Sequence, residues 1–282
     1  MNEKAFVIGY PIKHSRSPVI HNYWLQHHNI DASYRVINVA PEQLSGLVAD
    51  LRSGKYVGGN ITIPHKVDVC NYCDVLSPGA TMLGAVNTVY MRSGVLHGDN
   101  TDGYGFLSNL DQQVQGWDNG VKTVLILGAG GATRAIIVAL LERQISQVII
   151  LNRTLDTAKY LAQKFANIKP EVKLLAGGLD EFSRYAPQSD LLINTSAVGL
   201  NNTKFVNLDI SLLPKHAMVT DIVYTPMLTP LLLSARDRGL NICDGLGMLL
   251  HQAVPGFEKW FGIVPKVTPK LRQLVIDDLE KS

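Results

Sequence analysis

One stretch constrains this chain more than any other: TVLILGAGGATRAIIVALL, residues 123–141. Val124–Leu127 is an apolar run of strand length, GAGGA follows, and Ala135–Leu141 is apolar and long enough for a helix. A strand that passes through a glycine turn into a helix N-terminus makes a cradle for a phosphate. In this reading Gly128 lets the chain turn sharply and Gly130 lets the backbone approach a pyrophosphate. Gly131 or Ala132 lets the helix pack near the strand, and Ala129 completes the turn. The free N–H groups and the positive end of the helix dipole then meet the anion. A tight turn in any α/β protein would use similar residues, so the context decides, and here strand, turn and helix come in the order a dinucleotide site needs.

From Val121 the texture is alternating strand and helix. Strands are expected at Val124–Leu127, Val148–Leu151, Val172–Leu175, Leu191–Asn194 and Met218–Val223, with a helix over Ala158–Phe165. This alternation predicts a Rossmann-type doubly wound parallel sheet with helices on both faces. Ahead of it lies a second α/β region, with strands at Ala5–Gly9, Tyr34–Val39 and Tyr56–Ile63. It adds a hairpin of Ala85–Met91 and Val95–His97 around Arg92-Ser93-Gly94. Leu246–Lys281 reads as two helices. A chain of 282 residues is long for one domain, and two are expected.

Bulk properties narrow the function classes. A net charge of +2 without a basic run argues against nucleic acid as a partner. No apolar run approaches the ~18 residues of a membrane helix, so no membrane partner is expected. The opening MNEKAFVIGYPIK sets an acid beside its lysine and has a short apolar run, which reads as a strand and not a signal peptide. Cysteines are sparse and odd in number (Cys70, Cys73 and Cys243), which points to a reducing, cytoplasmic compartment. Cys70 and Cys73 have no second pair to complete a zinc site and read as buried or half-buried thiols on a helix, so no metal is expected.

The chemistry concentrates in the first region. Ser17-Pro18 reads as a helix start with Ser17 as N-cap. Ser15 has no such role, and two hydroxyls one residue apart can bind a carboxylate together. Lys66 follows a strand and Pro64; alone it would be a solvated charge. Asp102 precedes GYGFLSNL and alone would be a helix cap. Taken together, Ser15, Ser17, Thr62, Lys66, Asn87 and Asp102 all sit at strand ends or helix starts, which converge on a crevice in an α/β sheet. Hydroxyls, an amide, one ammonium and one carboxylate suit a small, polyhydroxylated acid. Lys66 is the evident proton donor. His65 is read as structural, because on an extended stretch its side chain points away from that of Lys66.

The motifs now resemble the shikimate dehydrogenase family. They are GYPIKHSRSP (9–18), GNITIPHK (59–66), GAVNT (84–88), GDNTDGYGF (98–106), GAGGATRA (128–135), NRT (152–154), NTSAVG (194–199), DIVYTPMLTPLL (221–232) and DGLGMLLHQA (244–253). The resemblance runs through nearly the whole chain. It implies a substrate domain of residues 1–104 with 245–282, an NADP-binding domain of 105–244, and a cleft between them. It also implies the reversible, NADPH-dependent reduction of 3-dehydroshikimate to shikimate on the route to aromatic amino acids. Carried over residue by residue, Ser15 and Ser17 hold the substrate carboxylate, and Lys66 and Asp102 are the catalytic pair. Thr62, Lys66, Asn87, Asp102 and Gln252 surround the ring hydroxyls and the reacting carbonyl, and Tyr224 faces the substrate. Gly128–Ala132, Asn152, Arg153, Thr154, Thr157, Ile222 and Gly245 fall at cofactor positions.

The NRT segment bears on the choice of cofactor. NAD sites usually end this strand in an acid that accepts hydrogen bonds from the ribose 2′-hydroxyl. Asn152 stands there instead, and Arg153 can meet a 2′-phosphate with a forked, charge-assisted contact. Thr154 adds a hydroxyl and is expected to cap the next helix. One departure counts against NADP: many relatives carry a second arginine where this chain has Thr157, and Asp156 adds a negative charge. The alternatives are a quinate/shikimate dehydrogenase using NAD and, more remotely, a non-catalytic sensing module. The latter expects loss of Lys66 or Asp102, and both are present. The chain is expected to be a monomer or a homodimer.

Overall fold

A computed structural model describes residues 3–12 and 15–281; Lys13 and His14 of the GYPIKHSRSP motif lie outside them. The chain forms two compact units, residues 1–102 with 250–282, and residues 103–249.

The first unit begins with β1 (Glu3–Gly9), α1 (Ser17–His27), β2 (Ala32–Asn38), α2 (Leu44–Arg52) and β3 (Gly58–Ile61). It continues with β4 (Val75–Leu76), α3 (Pro78–Leu83), β5 (Thr88–Arg92) and β6 (Val95–Asp99). The strands form one sheet in the order β2-β1-β3-β5-β6-β4. β1 runs parallel to β2 and β3, β5 is antiparallel to β3 and β6, and β4 is parallel to β6. The β5–β6 turn is the two-residue kind, with Ser93 at φ 52° and Gly94 at φ 78°, the left-handed pair a primed hairpin turn requires. β3 is shorter than the expected 56–63 because the His65 N–H donates to the Thr62 carbonyl (2.9 Å) and folds the chain into a turn after Ile61.

β1 is buried on both sides, as a parallel central strand should be: Phe6 and Ile8 face a core with Leu47 and Leu51 of α2. The chain then leaves this unit and returns to it through its last helices.

The second unit carries α4 (Asp102–Gln113), β7 (Thr123–Leu127), α5 (Gly131–Leu140), β8 (Gln147–Asn152), α6 (Leu155–Phe165), β9 (Lys173–Gly178), α7 (Phe182–Tyr185), β10 (Leu191–Asn194), β11 (Val198–Asn201), β12 (Met218–Asp221), α8 (Pro230–Asp237), β13 (Asn241–Cys243) and α9 (Leu246–His251). Six of these strands form a parallel sheet in the order β13-β12-β10-β7-β8-β9. Counted along the chain, that is 6-5-4-1-2-3, the doubly wound order with its reversal between β7 and β10. The apolar runs Val124–Leu127, Val148–Leu151 and Leu191–Ile193 are wholly buried, because helices cover both faces of such a sheet.

α10 (Ala253–Phe261) and α11 (Pro269–Glu280) close the first unit. The 246–281 region thus holds three helices where two were expected. The Trp260 indole N–H donates to the Val89 carbonyl (2.9 Å), that of Trp24 donates to the Lys266 carbonyl (3.1 Å), and Phe257 stands edge-on to Trp24. Cys70 and Cys73 are half-buried free thiols; Cys70 lies on a short 3₁₀ helix, Asp68–Tyr72, and Cys73 follows it in extended backbone, outside the helix expected to carry both. Burial pushes the Cys73 thiol up to about 12. No helix among the described residues is long and apolar enough to cross a membrane.

Candidate active site and nucleotide turn

Lys66 follows the turn after β3, and its carbonyl accepts the Val86 N–H (2.7 Å), which ties the lysine's backbone to the segment that carries Asn87. Asp102 opens α4, and its N–H donates to Asn100 Oδ1 (3.1 Å). These anchors bring Lys66 Nζ to 2.7 Å from Asp102 Oδ2, with side chains 30% and 18% exposed. Such a pair is shielded enough for a charge-assisted contact yet open to a small molecule. The other carboxylate oxygen, Oδ1, accepts the Asn87 amide N–H at 2.7 Å. Lys66, Asn87 and Asp102 therefore form one cluster.

Behind the cluster lies a buried polar layer that sequence patterns did not flag. Asn87 Oδ1 accepts the Thr101 N–H (2.9 Å) and the Thr88 hydroxyl (2.9 Å). The Thr101 hydroxyl donates to the carbonyl of Gln252 (2.7 Å), which brings that candidate to the same end of the unit. Asn60 donates to Thr88 Oγ1 and accepts from the Tyr34 hydroxyl (2.6 Å). Burial raises Tyr34 well above the ordinary tyrosine range, while a hydrogen bond from Ser17 and one from the Asn60 backbone oppose that rise; the phenol stays a donor. The signal that could have found these residues is polar side chains at inward positions of apolar strands, such as Asn60 in GGNI.

Ser17 is buried at the first turn of α1, but it is not the N-cap: that position is Arg16, whose side chain makes no cap bond and instead pairs with Asp278 (3.0 Å). The Ser17 N–H donates to Ser15 Oγ (3.3 Å), so Ser15 serves the helix start that Ser17 was expected to cap. Thr62 is half-buried at the end of β3, where its N–H pairs with the Ile8 carbonyl (3.0 Å). His65 is wholly buried, and its Nε2 lies 2.7 Å from the Val39 carbonyl. It is structural, though through the turn and not through an extended stretch.

In the second unit Gly128 has φ +115°, and a β-carbon there would stand 2.8 Å from Thr195 Oγ1 of the neighbouring strand end, so glycine is required. A β-carbon on Gly130 or Gly131 would meet nothing within 4 Å. That open space suits a pyrophosphate at the N-terminus of α5. It also corrects the idea that Gly131 serves close helix packing. The turn is braced from below: the Gly130 N–H donates to Thr133 Oγ1 (3.0 Å), which lies 2.8 Å from Thr195 Oγ1. Asn152 closes the turn after β8 by donating to the Thr154 carbonyl (2.9 Å), and Arg153 beside it is exposed. Thr154 is the N-cap residue of α6 but makes no side-chain cap bond, contrary to expectation. Thr157 is half-buried on the first turn of α6.

Ile222 and Gly245 lie together: a β-carbon at Gly245 would come within 2.5 Å of the Ile222 carbonyl oxygen. The segment holding Ile222 and Tyr224 is fixed by buried Asp221, which accepts from Asn194 (2.8 Å), the Val223 N–H (2.9 Å) and the Thr229 hydroxyl (2.7 Å). Burial pushes the Asp221 carboxyl up, and these three donors oppose it.

Residues 7–89 match the shikimate dehydrogenase substrate binding domain, 110–224 the shikimate/quinate 5-dehydrogenase domain and 245–274 the shikimate 5′-dehydrogenase C-terminal domain. The chain belongs to the shikimate dehydrogenase family. Shikimate dehydrogenase (NADP(+)) of Mesorhizobium japonicum is 48% identical over 277 residues, 98% of this chain and 97% of that one. Among solved structures, shikimate 5-dehydrogenase of Thermus thermophilus in complex with NADP(H) and shikimate is 33% identical, with a TM-score of 0.82 over 98% of this chain and 99% of that one. Quinate dehydrogenase of Corynebacterium glutamicum in complex with NAD is 29% identical, with a TM-score of 0.87 over 98% and 99%. The shikimate dehydrogenase likeness thus spans both units.

Proposed function

We infer that this chain catalyses the reversible, NADPH-dependent reduction of 3-dehydroshikimate to shikimate. The observation that carries the reading is the 2.7 Å pair of Lys66 and Asp102, locked by Asn87 and only partly screened from solvent, in a family member. Residues 1–104 with 245–282 are assigned to the substrate and 105–244 to the nucleotide. Gly128–Ala132 would hold the pyrophosphate, Arg153 with Asn152, Thr154 and Thr157 the 2′-phosphate end, and Ile222 and Gly245 the nicotinamide end. Ser15 and Ser17 hold the substrate carboxylate, while Thr62, Asn87, Tyr224 and Gln252 read its hydroxyls. The bound cofactor supplies the hydride. Lys66 as ammonium gives a proton to the ketone oxygen and stabilises the charge that develops on it. Asp102 orients Lys66 and accepts from a ring hydroxyl. The free thiols fit a cytoplasmic enzyme, as a monomer or homodimer.

The test is a kinetic matrix of shikimate and quinate, each with NADP and NAD, followed by reduced-cofactor absorbance. Shikimate with NADP is expected to give the highest kcat/KM. No turnover of shikimate with either cofactor by folded protein overturns the reading. Quinate with NAD as the best pair selects the second reading, which the likeness to the quinate enzyme and the missing arginine at Thr157 support.

A further inference from the structure

The Asn87 amide touches Asp102 through one end only, and its orientation decides whether that contact is attractive. With NH₂ toward the carboxylate it donates a hydrogen bond; flipped, it would set a carbonyl oxygen against a carboxylate oxygen. The identity of the buried end is fixed by chemistry. The Thr101 N–H lies 2.9 Å from it, and a backbone N–H can only donate, so that end is the oxygen. The remaining contacts assign each hydroxyl proton. Thr101 has one proton, and its shortest contact is the Gln252 carbonyl at 2.7 Å, against 3.2 Å to Asn87. Thr88 has one proton, and its acceptor is Asn87 Oδ1 at 2.9 Å. Thr88 Oγ1 in turn receives Asn60 Nδ2 at 3.3 Å, and Asn60 Oδ1 receives the Tyr34 hydroxyl at 2.6 Å. Every donor in this chain points the same way, from Tyr34 through Asn60, Thr88 and Asn87 to Asp102. Thr88 is wholly buried and Asn87 nearly so, so water does not compete for these bonds.

We propose that Thr88 is a positioning residue, whose hydroxyl joins the Thr101 N–H in holding the Asn87 amide oxygen, keeps the NH₂ toward Asp102 and thereby sets the carboxylate that orients Lys66. The inference rests on the shikimate dehydrogenase reading of the site. Thr88 lies behind Asn87, at the start of β5, and acts through it.

The test uses the full chain with shikimate and NADP. Thr88→Val keeps the shape and removes the hydroxyl; kcat is expected to fall roughly tenfold or more, as for loss of a hydrogen bond that supports a charged group. Thr88→Ser restores the hydroxyl and is expected to recover most of the activity. The decisive readout is a double-mutant cycle. If Thr88 acts through Asn87, Thr88→Val costs little further in an Asn87→Ala background, whereas a general structural role would cost the same factor in both. Should Thr88→Val not fold, as judged by thermal melting, Thr88→Cys fills the same space with a weaker donor and carries the same cycle. An active parent with the substituted enzyme within twofold of it, or equal losses in both backgrounds, overturns the proposal alone. A parent inactive on shikimate overturns the functional reading and this inference with it.

Discussion

In the proposed reaction Lys66 is the proton donor, because it is the cation in contact with Asp102 in a partly shielded cluster. Lys66→Ala is expected to lower kcat by roughly 10²–10⁴-fold, the range for a lost general acid–base group. KM for shikimate should change much less, because in the proposed site the hydroxyls of Ser15 and Ser17 would contact the carboxylate in ground and transition states alike. Initial rates at saturating NADP measure both; near-parental kcat would move proton donation to another group. The candidates Lys66, Asn87 and Asp102 were legible because each sits where a strand or turn ends, and such ends carry side chains out of the core. Thr88, Thr101 and Asn60 were not legible. Buried threonines and asparagines in apolar strands look like packing residues until the hydrogen bonds around them are known. Ser15 and Ser17 were legible as a pair, but their local roles were reversed: with Arg16 at the N-cap position, it is Ser15 that accepts a backbone N–H.

At the scale of elements, periodicity gave the strands of the parallel sheet to within a few residues, because fully buried strands leave unbroken apolar runs. It missed β4, of two residues, and β13, of three, which are too short to carry a pattern. In the proposed site the loop from β8 to α6 would decide the cofactor. Asn152 spends its amide on the Thr154 carbonyl, which leaves Arg153 exposed at the strand end where a 2′-phosphate would lie in the proposed site. Arg153→Ala is expected to weaken NADP at least roughly tenfold more than NAD, a charge-assisted contact being lost with one cofactor only. Thr157→Arg, on the first turn of α6, is expected to tighten NADP by supplying a second guanidinium. kcat/KM for both cofactors in the three proteins measures this. An unchanged ratio in Arg153→Ala would remove the phosphate from this loop.

At the scale of the whole molecule the first unit is discontinuous, and the helices after residue 250 finish a core that the first hundred or so residues cannot close. That core holds an ionisable group the proposed reaction does not use. His21 is wholly buried, stacked on Tyr34 (4.2 Å between centroids) and flanked by Trp24, Phe257 and Trp260, two of which come from α10. Neither ring nitrogen reaches a hydrogen-bond partner in good geometry. Burial lowers its pKa from 6.5 to about 3, with the nearby Asn60 side chain opposing. In the unfolded chain His21 takes a proton as pH falls through 6.5; in the folded chain it does not until about pH 3. Between those values the unfolded state binds more protons, so stability is lost as pH falls. From pH 8 to pH 5 the loss from this one group is about 2 kcal/mol. His21→Phe keeps a ring in the stack and removes the titration. Urea unfolding of both proteins across that range, followed by tryptophan fluorescence because Trp24 and Trp260 line the same core, should give a parent that weakens with acid and a variant whose curve is flatter by about that amount. Parallel curves would mean that the His21 ring is as easily protonated in the folded unit as outside it, and that the aromatic core around it admits water.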